Sequence, residues 1–265
     1  MPPVLQLSDI SFVRDGREIL DRVGLTIESD QNWLVLGANG SGKTTLVRIA
    51  AMYEHPTRGS VAVLGETLGH TDVRTLRRRI GYVSASFASE LRPALAARDV
   101  VMTARHAALE PWWHSYDDVD RARALECLTT MRVGHLADRS FGSLSSGEQQ
   151  RVLLARTTMN VPAVVLLDEP SARLDLGGRE ELVQALSSMI SSGNAAHPAP
   201  PVVLVTHHID EVPSGMTHVL LLAKGRVLSA GPIDDVLTSE SLSECFGVSL
   251  HLERRPNGRL SAWST

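Results

Sequence analysis

Gly37-Ala38-Asn39-Gly40-Ser41-Gly42-Lys43-Thr44 fits the pattern G-x-x-x-x-G-K-[ST] without a mismatch. Residues of these types at this spacing suit one chemistry. Glycines let the backbone fold back so that successive N–H groups face one concavity, and a helix N-terminus behind them adds positive potential. A phosphate chain fits that cradle. Lys43 would reach the β- and γ-phosphates, Thr44 would offer its hydroxyl to magnesium, and Asn39 and Ser41 within the loop and Thr45 just after it would line the cradle. The competing reading is a glycine-rich turn that binds nothing. The flanks oppose it, because Trp33–Leu36 is a short apolar run and Thr45–Ala51 reads as the start of a helix. The chain has 24 arginines and only two lysines, and Lys43 is one of the two. A compact ammonium in a tight cradle is hard to replace with a planar fork.

A second cluster follows the apolar run Val164–Leu167, which ends in Asp168-Glu169-Pro170. A carboxylate at the end of a strand beside a phosphate loop can hold magnesium, and this is the role expected of Asp168. Glu169 would then orient or deprotonate an attacking water. The plainer reading of adjacent acids after a strand is a helix N-cap. Leu144-Ser145-Ser146-Gly147-Glu148-Gln149-Gln150-Arg151 precedes an apolar-periodic helix around Val152–Thr158. Ser145 and Glu148 have capping-box spacing, and small residues ahead of a helix form another anion-binding N-terminus.

These groups need a scaffold to position them. Val4–Leu7, Ile10–Val13 and Val23–Ile27 read as strands, with Asp15-Gly16 as a turn, so an antiparallel sheet precedes the loop. Val61–Leu64 and Ile80–Val83 read as strands. From about 90 to 160 the character is helical, as in Val119–Leu128. Ala163–Leu167 and Val202–Val205 are continuous apolar runs around a helix at Glu180–Ile190, the pattern of buried parallel strands. Val219–Ala223 and Arg226–Ser229 read as a closing hairpin. Ser191–Pro201, with His197, reads as a surface loop. The expected architecture is α/β: a P-loop NTPase core at 1–89 and 161–240, an inserted helical subdomain at 90–160, and an appendage at 241–265.

Composition narrows the function. The chain has 265 residues, a net charge of -4 and 43% hydrophobic residues, ordinary for a globular protein. The acidic balance argues against a nucleic-acid partner. Cys127 and Cys245 lack metal-like spacing and suggest reduced thiols. No apolar stretch approaches the roughly 20 residues of a membrane span, and Met1-Pro2-Pro3-Val4 lacks the start of a signal peptide. Any membrane role is expected to run through a partner.

The order Gly37–Thr44, Leu144–Arg151, Leu167–Pro170, Ser171–Asp175 and Thr206-His207 resembles the ATP-binding cassette of ABC transporters over residues 4–235. The Leu144–Arg151 stretch is its most specific part. The resemblance implies ATP and Mg2+ as ligands, and two copies stacked head to tail. Each ATP would lie between Gly37–Thr45 of one copy and Ser145, Ser146, Gly147 and Glu148 of the other. Asp175 would sit at the seam, Glu169 would be the general base, and His207 would sense the γ-phosphate. His208 is expected to turn its ring the other way. The implied setting is the cytoplasmic face of a membrane, against a transmembrane permease. Thr103–His106, Pro111-Trp112-Trp113-His114 and Asp117–Asp120 are similar to ATPases of metal-chelate or molybdate-type importers.

Two positions depart from the family pattern. Arg14 stands where an aromatic usually stacks on adenine; a guanidinium plane can also stack on a base. Ala85, in Ser84-Ala85-Ser86, falls where a glutamine is usual. That change keeps a soluble non-transport cassette, such as an iron–sulfur assembly ATPase, as the alternative. Trp112 and Trp113 read equally as docking residues or as packing within the insert, and His106, His114 and His135 as packing or surface residues.

Overall fold

Asp15 and Gly16 adopt φ of 51° and 73°, the left-handed pair that a tight hairpin turn requires. The turn joins β1 (Leu5–Arg14) to β2 (Arg17–Ile27), which pair antiparallel. This computed structural model describes residues 2–111, 114–193, 199–255 and 258–265. The expectations for Trp112, Trp113 and His197 fall outside those residues.

After the hairpin come β3 (Trp33–Leu36), α1 (Lys43–Ala50), β4 (Arg58–Val63), β5 (Glu66–Thr67), α2 (Val73–Arg77) and β6 (Ile80–Ser84). The helical region then holds α3 (Phe87–Glu90), α4 (Ala97–Met102), α5 (Asp118–Thr130) and α6 (Ser146–Thr157). The chain returns to the core through β7 (Val164–Asp168), α7 (Leu176–Ser191), β8 (Val202–Thr206), β9 (His218–Ala223) and β10 (Arg226–Pro232). It closes with α8 (Ile233–Val236), α9 (Ser239–Phe246), β11 (Leu250–Arg254) and β12 (Leu260–Ser264).

The central sheet has the order β10-β9-β3-β8-β7-β6; all its neighbours pair parallel except β10, which pairs antiparallel with β9. A separate antiparallel sheet has the order β2-β1-β4-β5. The central strands read as unbroken apolar runs because both faces are covered. Successive side chains alternate between the faces. Trp33, Val35, Leu166, Val203 and Val205 join α1 and the antiparallel sheet in one core. Leu34, Leu36, Val165, Leu167, Val202 and Leu204 join the helices in a second core.

Close approach fixes Gly37, just after β3: a Cβ there would overlap the Leu222 carbonyl oxygen of β9 and crowd Ser41 Oγ at 2.7 Å. The phosphate loop is thus seated directly against β9. Residues 241–265, expected to be an appendage, pack into the main core through Leu242, Cys245 and Leu260. Cys245 Sγ lies 3.8 Å from the Leu222 carbonyl oxygen, beneath the phosphate loop, and burial pushes its thiol up to about 11.

Leu242 is 2% exposed in that core. Leu242→Ala is therefore expected to cost about 2–4 kcal/mol of stability by loss of buried surface and creation of a cavity. Urea denaturation of the two proteins checks this; unchanged stability would mean that α9 is not part of the cooperative core.

Candidate functional site

The turn out of β3 folds tightly. Gly40 and Gly42 adopt φ of 79° and 103°, and the Ser41 amide donates to the Ala38 carbonyl at 3.1 Å. Helix α1 begins at Lys43, so its first amides face the loop it closes. Ser41 Oγ is buried without a hydrogen-bond partner, as expected of a group placed for an anion. Lys43 is buried, and its ammonium donates to the carbonyls of Gly37 at 2.7 Å and Ala38 at 3.1 Å. Burial pulls its pKa below the ordinary lysine value, while the Glu169 and Asp168 carboxylates push it back.

Strand β7 ends on the carboxylate that faces this loop. Thr44 Oγ1 donates to Asp168 Oδ1 at 3.2 Å, bridging 124 residues of chain. Burial pushes the Asp168 carboxyl up to about 6, against the Thr44 hydrogen bond. A hydroxyl beside one carboxylate is a hard oxygen set that suits magnesium, which typically takes one or two carboxylates, substrate phosphates and water. Among the described residues no group of three or more His, Cys, Asp or Glu side chains could hold a metal by itself.

Glu169 leaves β7 with φ of 48°, a left-handed conformation that is strained for a residue with a side chain. Its amide donates to the Val205 carbonyl of β8 at 2.9 Å, and this bond holds the turn. Glu169 Oε1 then meets His207 Nδ1 at 3.0 Å, with the ring N–H donating when the acid is ionised. His207 follows β8, which ends at Thr206. The strand alternation stops there, so His208 does not turn away as expected: the two rings lie 4.0 Å apart, centre to centre. Lys43, Thr44, Asp168, Glu169 and His207 therefore form one cluster along the carboxyl ends of β3, β7 and β8.

The other expected residues form a second cluster. Ser145 caps α6: its Oγ accepts from the Glu148 amide at 3.3 Å, and Glu148 Oε2 accepts from the Ser145 amide at 2.8 Å. Asp175 caps α7 and accepts from the Gly178 amide at 2.8 Å. Ser145, Ser146, Gly147 and Asp175 line one cleft together with Arg151 and Arg173. Among the described residues no hydrogen bond joins this cleft to the Lys43–Glu169 cluster. Arg14 stands apart from both. It is paired with Glu54 at 2.9 Å, and its guanidinium lies 5.2 Å from the centre of the Phe12 ring.

Ala85 donates its amide to the Asp168 carbonyl at 3.0 Å, and Ser84 and Ser86 join their hydroxyls at 3.2 Å. The 84–86 turn is thus tied to β7 through the backbone. One buried acid escaped sequence reasoning. Glu211 accepts from the Ser171 hydroxyl and, at 3.2 Å, from Thr206 Oγ1, so it joins the segment before Asp175 to the end of β8. Its only sequence signal is an acid four residues after His207.

The ABC transporter family model matches residues 20–172. The uncharacterized ABC transporter ATP-binding protein YlmA of Bacillus subtilis is 35% identical, over 94% of this chain and 93% of its own length. The nickel import ATP-binding protein NikO of Rhodobacter capsulatus is 31% identical, over 91% and 94% of the two chains. The solved dimer of the ATP-binding cassette MJ0796, in a post-hydrolysis state with ADP and phosphate, superposes with a TM-score of 0.72 at 27% identity. That match covers 86% of this chain and 98% of the other. The chain belongs to the ABC transporter family as an ATP-binding subunit and is an ATPase.

Asp168 gives a pH signature. An acid whose pKa is raised by folding binds its proton more tightly in the folded state, so its ionisation opposes folding. The contribution is favourable near its ordinary value of 3.8 and is lost as pH rises through about 6. Asp168→Asn imitates the protonated acid. In nucleotide-free protein its stability relative to wild type is expected to grow by about 2 kcal/mol between pH 4 and pH 7.5. Chemical denaturation across that range checks it; a difference that does not vary with pH would contradict the burial of an ionised carboxylate.

Proposed function

We propose that two copies of this chain stack head to tail, hydrolyse ATP at their shared faces, and drive import through a transmembrane permease. The observation that carries this reading is that the two clusters sit on different elements, one at the ends of β3, β7 and β8 and the other at the N-termini of α6 and α7. One chain holds phosphate-binding and water-activating groups at Lys43–Thr44 and Asp168–His207, and signature groups at Ser145–Glu148 and Asp175, with no hydrogen bond between them among the described residues. Each cluster is then half of a site, and two-fold stacking completes both halves together.

In this scheme the amides of Gly40–Thr44, with Asn39, Ser41 and Thr45, cradle the phosphates of ATP. Lys43 neutralises the β- and γ-phosphates. Thr44 and Asp168 hold Mg2+, which supplies charge neutralisation on the phosphate oxygens. Glu169 accepts a proton from the attacking water, held in its strained turn by the Val205 carbonyl. His207 keeps the Glu169 carboxylate oriented from 3.0 Å and senses the γ-phosphate. Ser145, Ser146, Gly147 and Glu148 of the facing copy close over the γ-phosphate, with Asp175 at the seam. Arg14 stacks on adenine after giving up part of its pairing with Glu54.

The importer direction draws on relatives such as NikO, named for nickel import. Among the described residues no helix is long and apolar enough to cross a membrane. In this scheme the chain attaches through the permease on the cytoplasmic face. Ala85 supports a second reading, a cassette that works with soluble partners. Its backbone tie to Asp168 keeps the turn in place without a side-chain amide.

Three experiments test this scheme. Glu169→Gln is expected to lower kcat by about 10³-fold and to accumulate an ATP-held dimer on size-exclusion chromatography. Full turnover in that variant would remove Glu169 from its role. Pull-down of the same ATP-locked chain from gently solubilised membranes is expected to retain a polytopic membrane protein; exclusively soluble partners would favour the second reading. Arg14→Ala is expected to weaken ATP affinity about threefold to tenfold through lost stacking, as read by calorimetry. An unchanged affinity would mean that Arg14 does not touch the base.

A further inference from the structure

The last strand of the chain reaches the segment that carries His207. Arg259, just before β12, forks onto helix α7: Nη1 donates to Glu180 Oε2 at 2.6 Å and Nη2 to Glu180 Oε1 at 3.1 Å. Nη2 also donates to the backbone carbonyl of Asp210. The Arg259 hydrogen bonds hold the Glu180 carboxyl below its ordinary value. A planar guanidinium can meet a carboxylate and a carbonyl together in a way that an ammonium on a flexible stem cannot.

Asp210 belongs to a single helical turn, Ile209–Glu211, that begins two residues after His207. That turn is poorly held by its own backbone. The Glu211 amide reaches the His208 carbonyl at 3.4 Å, and the Val212 amide reaches the Ile209 carbonyl at 3.4 Å, both long for such bonds. Side chains hold it instead. On the inner side Glu211 accepts from Ser171 and Thr206 and faces Arg179 at 3.5 Å. On the outer side Arg259 grips Asp210. Arg179 and Glu180 are adjacent on α7, so one helix backs both anchors.

We propose that Arg259 is a positioning residue for ATP hydrolysis: it fixes the turn behind His207 so that the imidazole stays on the Glu169 carboxylate. The proposal rests on the role given above to His207. The tail thereby becomes part of the hydrolytic apparatus without touching nucleotide. An element that docks on or displaces β11–β12 would change turnover at a distance, because the switch segment and the tail share one guanidinium.

The experiment is a double-mutant cycle on the full chain, with kcat and KM for ATP measured with magnesium for wild type, Arg259→Ala, His207→Ala and the double variant, slow members by single turnover. Arg259→Ala is expected to lower kcat about tenfold with KM changed less than about twofold, because only the catalytic geometry is disturbed. In the His207→Ala background the same substitution is expected to cost nothing further, since it acts through the missing ring. Arg259→Lys, which keeps the charge beside Glu180 and preserves the fold, is expected to give an intermediate kcat.

An equal fold-loss in both backgrounds would overturn the proposal, as would a wild-type kcat in Arg259→Ala or a raised KM at unchanged kcat. A His207→Ala chain with wild-type kcat would remove His207 from hydrolysis and the proposal with it, and that result is read from the single variant alone.

Discussion

The contact between Thr44 Oγ1 and Asp168 Oδ1, 3.2 Å long, ties the phosphate loop to the central strand β7 and brings together two segments 124 residues apart. The site is arranged around that contact. The loop reaches it because Gly37 lies flush against the Leu222 carbonyl, where no side chain fits. The carboxylate reaches it because β7 is buried on both faces and must end where the sheet meets the loop. Burial makes the Asp168 charge costly until a cation or the Lys43 ammonium compensates it, which suits a site built to receive a metal-bound polyphosphate.

Strain and support are distributed around that contact. Glu169 adopts a backbone conformation that side-chain-bearing residues avoid, and the hydrogen bond from its amide to the Val205 carbonyl and the His207 ring hold it there. His207 is held in turn by a short turn with weak backbone bonds, anchored on one side by Glu211 and on the other by Arg259. The Glu169 carboxylate is thus linked by a chain of contacts running from β7 through β8 to Arg259 beside the last strand.

Much of this was legible in the sequence. Gly37–Thr44 and Asp168-Glu169 stand out in the sequence by residue type and spacing, and the structure brings the two segments together at the Thr44–Asp168 hydrogen bond. The buried strands show as unbroken apolar runs because both faces of the sheet are covered. The Asp15-Gly16 turn and the Ser145–Glu148 cap are local, and local rules read them. What sequence missed is long-range. The Arg259–Glu180 fork spans 79 residues, and nothing near Arg259 marks its partner. Leu242 and Cys245 read as part of an appendage, yet they pack into the core beneath β9. The His208 ring lies beside that of His207 because the strand, and with it the alternation of side chains, ends at Thr206.

The central claim is that each working site is shared between two copies. The most direct measurement mixes two chains that are each inactive alone: Glu169→Gln, which damages the phosphate-loop half, and Gly147→Trp, which blocks the signature half. If sites are shared head to tail, each mixed pair contains one intact site, and activity reappears on mixing at up to about a quarter of the wild-type level for random pairing. A mixture as inactive as its two components, with mixed pairs shown to form, would contradict the shared site and return catalysis to the single chain.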